Sequence, residues 1–137
     1  MAYATTQDIV VIYGEEILNA VADRDRSGRS DEDAVQAALE AASAEIDTYL
    51  GSRYTVPLTS PPPYIRQIAV DITVYRLALD IAPRTEEMRL RYMDAITYLK
   101  AVAAGTIDLP TTTGDPGGSG TADTVGSGAK VIGALRG

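Results

Sequence analysis

The chain has 137 residues, 19 acids against 12 bases for a formal net charge of −7, and neither cysteine nor histidine. That inventory excludes disulfides, Cys/His zinc sites, Ser-His-Asp triads and Cys-His pairs. It leaves carboxylates as the remaining acid/base or magnesium-holding groups, and no spacing brings a specific pair of them together.

The expectation is therefore a non-enzyme without a cofactor. The acidic balance also disfavours a protein whose task is to grip phosphate backbones. No run of about 18 apolar residues occurs, and MAYATTQDIV places no basic region before an apolar one. Neither a membrane span nor a secretory signal is expected, which implies synthesis and use in the cytosol. The length supports one domain, and a helical body of about 100 residues can bury a workable core. Tyrosine, at eight positions, is the sole aromatic residue, and its amphipathic ring suits half-buried helix faces and interfaces.

In chain order, Thr5 or Thr6 is placed to cap a short helix through Ile9, Val10 and Ile12, and Gly14 to end or bend it. A second short helix, EEILNAVAD, opens on acids that favour the positive end of its dipole. Then comes DRDRSGRSDED, residues 23–33. Asp23, Asp25 and Ser27 followed by Gly28 match the first half of a calcium loop. The twelfth loop position is Ala34 where a bidentate Glu is required, and Arg24 and Arg26 stand between the candidate ligands. A polar turn that stops one helix and starts the next, with Ser30 and Asp33 as a variant capping box, fits these residues better.

From Asp31 to about Leu50, Val35, Ala38, Leu39, Ala42, Ile46, Tyr49 and Leu50 recur at helical spacing. The segment GSRYTVPLTSPPP cannot continue that helix and reads as an extended loop stiffened by prolines. Another helix begins at Pro63, where a missing N–H costs little. It runs through Ile65, Ile68, Ala69, Ile72, Tyr75 and Leu79 toward Pro83. The last starts near Thr85 on an acidic turn and carries Met88, Tyr92, Ala95, Ile96, Leu99 and Val102 to Gly105, a ready C-cap. The fold class predicted is all-α: a small bundle of three main helices with short N-terminal helices packed across it.

Residues 110–137 differ in kind. Eight of the 28 are glycine and two proline, and Asp115 and Asp123 cancel Lys130 and Arg136, so the whole acidic excess belongs to residues 1–109. Such a composition cannot fold alone. It divides the chain into a helical domain, 1–109, and a C-terminal arm, 110–137. Val125, Val131, Ile132 and Leu135 are apolar anchors in that arm, and KVIGAL is suited to pair with another protein's sheet edge.

Taken together, YATTQDIVVIYGEE, DRDRSGRSDED, AEIDTYLGSRYTVPL and the pairing of Ile68, Asp71 and Tyr75-Arg76-Leu77 with RYMDAITYLKAVAAG resemble the head-tail connector proteins of Mu-like tailed phages and prophages. These are also called adaptor or head-completion proteins, and the likeness covers residues 3 to about 109. What the resemblance implies is a virion protein of the neck, assembled in the host bacterial cytoplasm. It would be a ring, commonly of about twelve copies, docked under the portal protein and presenting a surface to a tail-side stopper or tail-terminator protein. DNA would pass through the channel without specific binding, and no membrane would be involved. The soluble protein is expected to be a monomer before it meets the portal.

An acidic body suits such a channel because negative walls repel phosphates. The contact segments expected are the loop 51–63 and the arm, with Arg53 and Tyr54 docking on a neighbour. The alternative for Arg53 is capping of the preceding helix carbonyls. Arg84, Arg89 and Arg91 are candidates to pair with Glu40, Glu45 or Glu87, and Arg66 and Arg76 to anchor Asp47 or Asp94. Two other readings compete: a helical calcium-responsive module using residues 23–33, and an acidic DNA mimic resting on net charge alone.

Overall fold

The computed structural model describes residues 2–23, 30–81 and 85–110. Its elements are five helices: α1 (Thr6–Tyr13), α2 (Glu15–Ala22), α3 (Glu32–Leu50), α4 (Pro63–Ile81) and α5 (Glu86–Ala103). This is the all-α architecture expected, with α3, α4 and α5 as the long members and α1–α2 laid against α4.

Each start is set by local chemistry. Thr5 and Asp8 form a reciprocal capping box: Asp8 N donates to Thr5 Oγ1 at 3.2 Å and Thr5 N to Asp8 Oδ2 at 2.9 Å. Gly14 has φ 96°, ψ 153° and serves both as C-cap of α1 and N-cap of α2. The chain therefore turns between the two helices on a backbone conformation that a side chain would strain. Thr85 caps α5, accepting from Met88 N at 3.1 Å.

The cap of α3 is a correction to the sequence reading. Asp31, not Ser30, is the N-cap, its Oδ1 accepting from Asp33 N at 3.1 Å and Ala34 N at 3.3 Å. Ser30 instead donates its backbone N–H to Asn19 Oδ1 at 3.1 Å, and Asp31 N donates to Ala22 O at 2.7 Å. Both bonds tie the end of α2 to the start of α3, and the Ser30 N–H is thereby taken from the carboxylate it would meet in a capping box.

α4 packs against each of the other four helices. Ile65, Ile68, Ala69, Val70, Ile72, Val74, Leu77 and Ala78 are buried around its circumference, closed in by Ile9, Leu18, Val35, Leu39, Ile46, Leu50, Met88, Leu99 and Val102. At about 1.5–3 kcal/mol for each large aliphatic chain removed from water, this is the main stabilising term. The predicted core positions Ile68, Ile72 and Leu99 are fully buried, whereas Tyr49, Tyr75, Tyr92 and Ile96 are half-buried at its edge. The side chain of Leu79 lies outside the described residues.

The tyrosines fasten the segments to one another. Tyr3 OH donates to Asp47 Oδ1 at 2.5 Å and accepts from Leu58 N at 2.9 Å, while Tyr3 N donates to the buried Ser43 Oγ at 2.8 Å. One residue thus joins the N-terminal segment, α3 and the proline loop. Tyr75 of α4 stacks on Tyr92 of α5 with centroids 4.1 Å apart and planes 6° from parallel, and Tyr92 OH donates to Glu45 Oε2 of α3 at 3.0 Å. Arg76 Nη2 reaches Glu45 Oε1 at 3.0 Å. This corrects its expected pairing with Asp47 or Asp94; Arg66 is exposed.

Tyr3→Phe keeps the ring but strips Leu58 N of its acceptor in a buried position. A loss of about 1–3 kcal/mol is expected, measured as a lower urea midpoint at unchanged slope.

Candidate functional site

Three features of the surface bear on function: a polar junction at one end of α5, a groove at the other, and the exposed apolar residues.

The junction forms where α5 stops. Gly105, at φ 86°, lets the chain reverse, and Thr106 N donates to Ala101 O at 2.9 Å. Arg53 then crosses from the α3–α4 loop. Its Nη1 donates to Val102 O at 2.8 Å and Ile107 O at 3.2 Å, and its Nη2 to Asp108 Oδ1 at 2.6 Å. A cation at the negative end of α5 complements the dipole, and the hydrogen bond to Asp108 raises the pKa of the guanidinium further. Beside it, Tyr54 is buried, and its hydroxyl accepts from Leu109 N at 3.0 Å. Leu109 is buried in turn. Arg53 therefore caps one carbonyl of α5 and one of the segment after it, not those of α3 that precede it, and both predicted partner-binding residues of the loop fix the point from which residues 110–137 depart.

The groove lies between the α1–α2 corner and the first turns of α5. Ile12, Tyr13, Ile17, Thr85, Glu87, Met88 and Arg91 line a cavity of about 300 Å³. Arg91 sits over the Tyr13 ring at 4.9 Å, and its Nη2 donates to Glu87 Oε2 at 2.6 Å. On the inner wall Tyr13 OH donates to Asp71 Oδ1 at 2.8 Å, with Gln67 Nε2 donating to the same oxygen at 3.2 Å. Burial pushes the Asp71 carboxyl above its usual range. Donation from Tyr13 and Gln67 and the charge of Arg91 work the other way, while Asp94 adds to the rise. Tyr13 is raised by burial and by the neighbouring carboxylate.

Large apolar side chains stand exposed on α5 at Leu90 and Met93, on α1 at Val11, and at the junction itself at Ile107. Arg89 pairs with Glu86 at 2.5 Å and Arg91 with Glu87, both within α5. Of the partners expected for these arginines, Glu87 is the one found, and Arg84 lies outside the described residues.

Asp23 ends α2, but Asp25 and Ser27 lie outside the described residues, as do Val125, Val131, Ile132 and Leu135. Among the described residues no group of three or more potential metal-ligating side chains is assembled, and no helix is long and apolar enough to cross a membrane. Sequence reasoning missed the groove and the buried polar wall behind it. The available signal was Asp71 itself, a lone carboxylate inside the run IAVDITV, which a buried helix can hold only with donors brought to it.

The family model described as "Bacteriophage Mu, Gp36" matches residues 3–125. The chain belongs to this family. It is 36% identical over 107 residues to "Mu-like prophage FluMu protein gp36" of Haemophilus influenzae, covering 78% of this chain and 74% of that protein. It is also 33% identical over 110 residues to "Gene product J" of Escherichia phage Mu, covering 79% and 76%. The matched region takes in every described helix, the groove and the junction.

The raised pKa of Asp71 fixes the sign of a pH effect. The folded state holds that proton more tightly than the unfolded chain, whose value is about 3.9. The contribution of Asp71 is thus most favourable below about pH 4 and declines as pH rises through the raised value. Asp71→Asn should therefore gain stability relative to wild type between about pH 4 and about pH 7. Paired urea denaturations at the two pH values test this, and a constant difference would show an ordinary carboxylate.

Proposed function

We propose that this protein is a head-tail connector: a virion component that forms a ring beneath the portal, leaves a channel for DNA, and offers its far side to a stopper or tail-terminator protein. The observation that carries the reading is membership of the Mu Gp36 family across nearly the whole chain. The physical features agree with it. A small helical body with exposed apolar residues on α1 and α5 suits a subunit completed by its neighbours. The entire net charge of −7 falls on that body, so a channel lined by such subunits repels phosphates and lets DNA slide. In this reading the arm, with Val125, Val131, Ile132 and Leu135, makes the contact to portal or neighbour. The anchored junction at Arg53 and Tyr54 sets where it starts.

Mass photometry of the protein, alone and mixed with portal-bearing capsids, tests the proposal. A species of about 14.5 kDa alone should become a capsid-bound ring. Deleting 111–137 should keep the helical circular-dichroism spectrum and cooperative melting yet abolish attachment. Full-length protein that ignores capsids would overturn the connector reading, and normal attachment by the truncated form would overturn the role of the arm.

A further inference from the structure

The groove between the α1–α2 corner and α5 has a definite chemical character. Its floor is apolar, from Ile12, Ile17 and Met88. Its charged lining is the Glu87–Arg91 pair, and next to the lining in sequence stand further acids: Glu15 and Glu16 open α2 immediately before Ile17, and Glu86 opens α5 beside Glu87. All four carboxylates are exposed. Glu86 and Glu87 are neutralised by Arg89 and Arg91, while Glu15 and Glu16 make no ion pair with another described residue. A ligand complementary to such a groove is a short apolar segment whose flanking bases can meet Glu15 and Glu16 at its α2 end.

The chain contains that segment. Residues 130–136 read KVIGALR: Val131, Ile132 and Leu135 between Lys130 and Arg136, with no acid after Asp123. The segment lies beyond the family-matched residues 3–125.

Distance favours the same chain over a second copy. The junction of Arg53, Tyr54 and Leu109 holds Pro110 at the C-terminal end of α5, and the groove lies at its N-terminal end. α5 has 18 residues, about 27 Å at 1.5 Å per residue. The roughly 20 residues from Pro110 to Lys130 are rich in Gly, Thr and Ser, and a chain of this composition has a root-mean-square span of about 25 Å. A tether whose natural span matches the gap gives its end a millimolar effective concentration at the site. Another copy at micromolar concentration cannot compete with that.

We infer that the groove lined by Ile12, Ile17 and Met88 is a docking site for residues 130–136 of the same chain, held by apolar contact and by attraction of Lys130 and Arg136 to Glu15 and Glu16. This site requires no portal, and in the connector reading the same residues leave it to reach portal or neighbour.

Amide hydrogen exchange of the full-length protein, followed by mass spectrometry, tests it without any partner. Residues 129–137 should exchange at least about fivefold more slowly than the same sequence as a free peptide. The protection should be equal at about 5 and about 100 μM protein and weaker in about 0.5 M salt. The double variant Val131→Asp, Leu135→Asp lies outside the helical body. It should keep the melting transition, lose the protection, and speed exchange at residues 12–17. Ile17→Glu should release the segment from the other side. Exchange of the wild-type segment at the free-peptide rate would overturn the inference, as would protection retained in the double variant. Protection that grows with protein concentration would overturn docking within one chain and assign the groove to a second copy.

Discussion

The burial of the middle of α4 on all sides is the constraint from which the rest of the structure follows. A helix with one apolar stripe needs one partner surface, whereas a helix apolar around its circumference must be enclosed. Ile68 to Val74 are all buried, so α1, α2, α3 and α5 are obliged to surround them. The two polar side chains caught in that stretch are satisfied in different ways. Thr73 turns its hydroxyl back onto Ala69 O at 2.7 Å, a bond contained within the helix. Asp71 cannot do that, and it draws Tyr13 from the end of α1 as a donor. The position of the α1–α2 corner, and hence of the groove it shares with α5, is a consequence of one carboxylate in the wrong solvent.

The use of tyrosine as the sole aromatic belongs to the same economy of material. A bundle this small has little interior that lies more than one side chain from water. Phenylalanine would fill it without direction, whereas each tyrosine supplies ring area and a hydroxyl that fixes a distance. Tyr3, Tyr13, Tyr54 and Tyr92 each join segments far apart in sequence. The carboxylates they engage, Asp47, Asp71 and Glu45, are acids that would otherwise add to the surface repulsion of an acidic protein. Burial, with the bond to Glu45 second, raises the Tyr92 phenol to about 12, so this bond keeps its proton across the physiological range.

Much of this was legible in the sequence, and what was not has a physical reason. Helix spacing, the prolines at 57 and 61–63, Gly14 and Gly105 are local signals, and the five helices follow from them. Caps were legible where one residue alone qualified, as at Thr85. At Ser30 and Asp31 two qualified, and the Asp31 carboxylate is the one that meets the first N–H groups of α3. The role of Arg53 was not legible for the same reason. A guanidinium can reach several carbonyls, and only the return of the chain after Gly105 brings Val102 and Ile107 within its span. The groove was least visible of all, being formed by residues some seventy positions apart whose individual signals are those of an ordinary amphipathic helix.

The junction at Arg53 also has a mechanical meaning. A tail attached to the last turn of a helix transmits tension to that turn alone and unwinds it one hydrogen bond at a time. Here tension applied beyond Pro110 meets Leu109 held by Tyr54 and Asp108 held by Arg53, and Arg53 in turn grips the Val102 carbonyl in the last turn of α5. The load divides between two segments about fifty residues apart and acts on several bonds in parallel. α5 is thereby shielded from peeling, and the bundle behaves as a firm post to which a rope is tied.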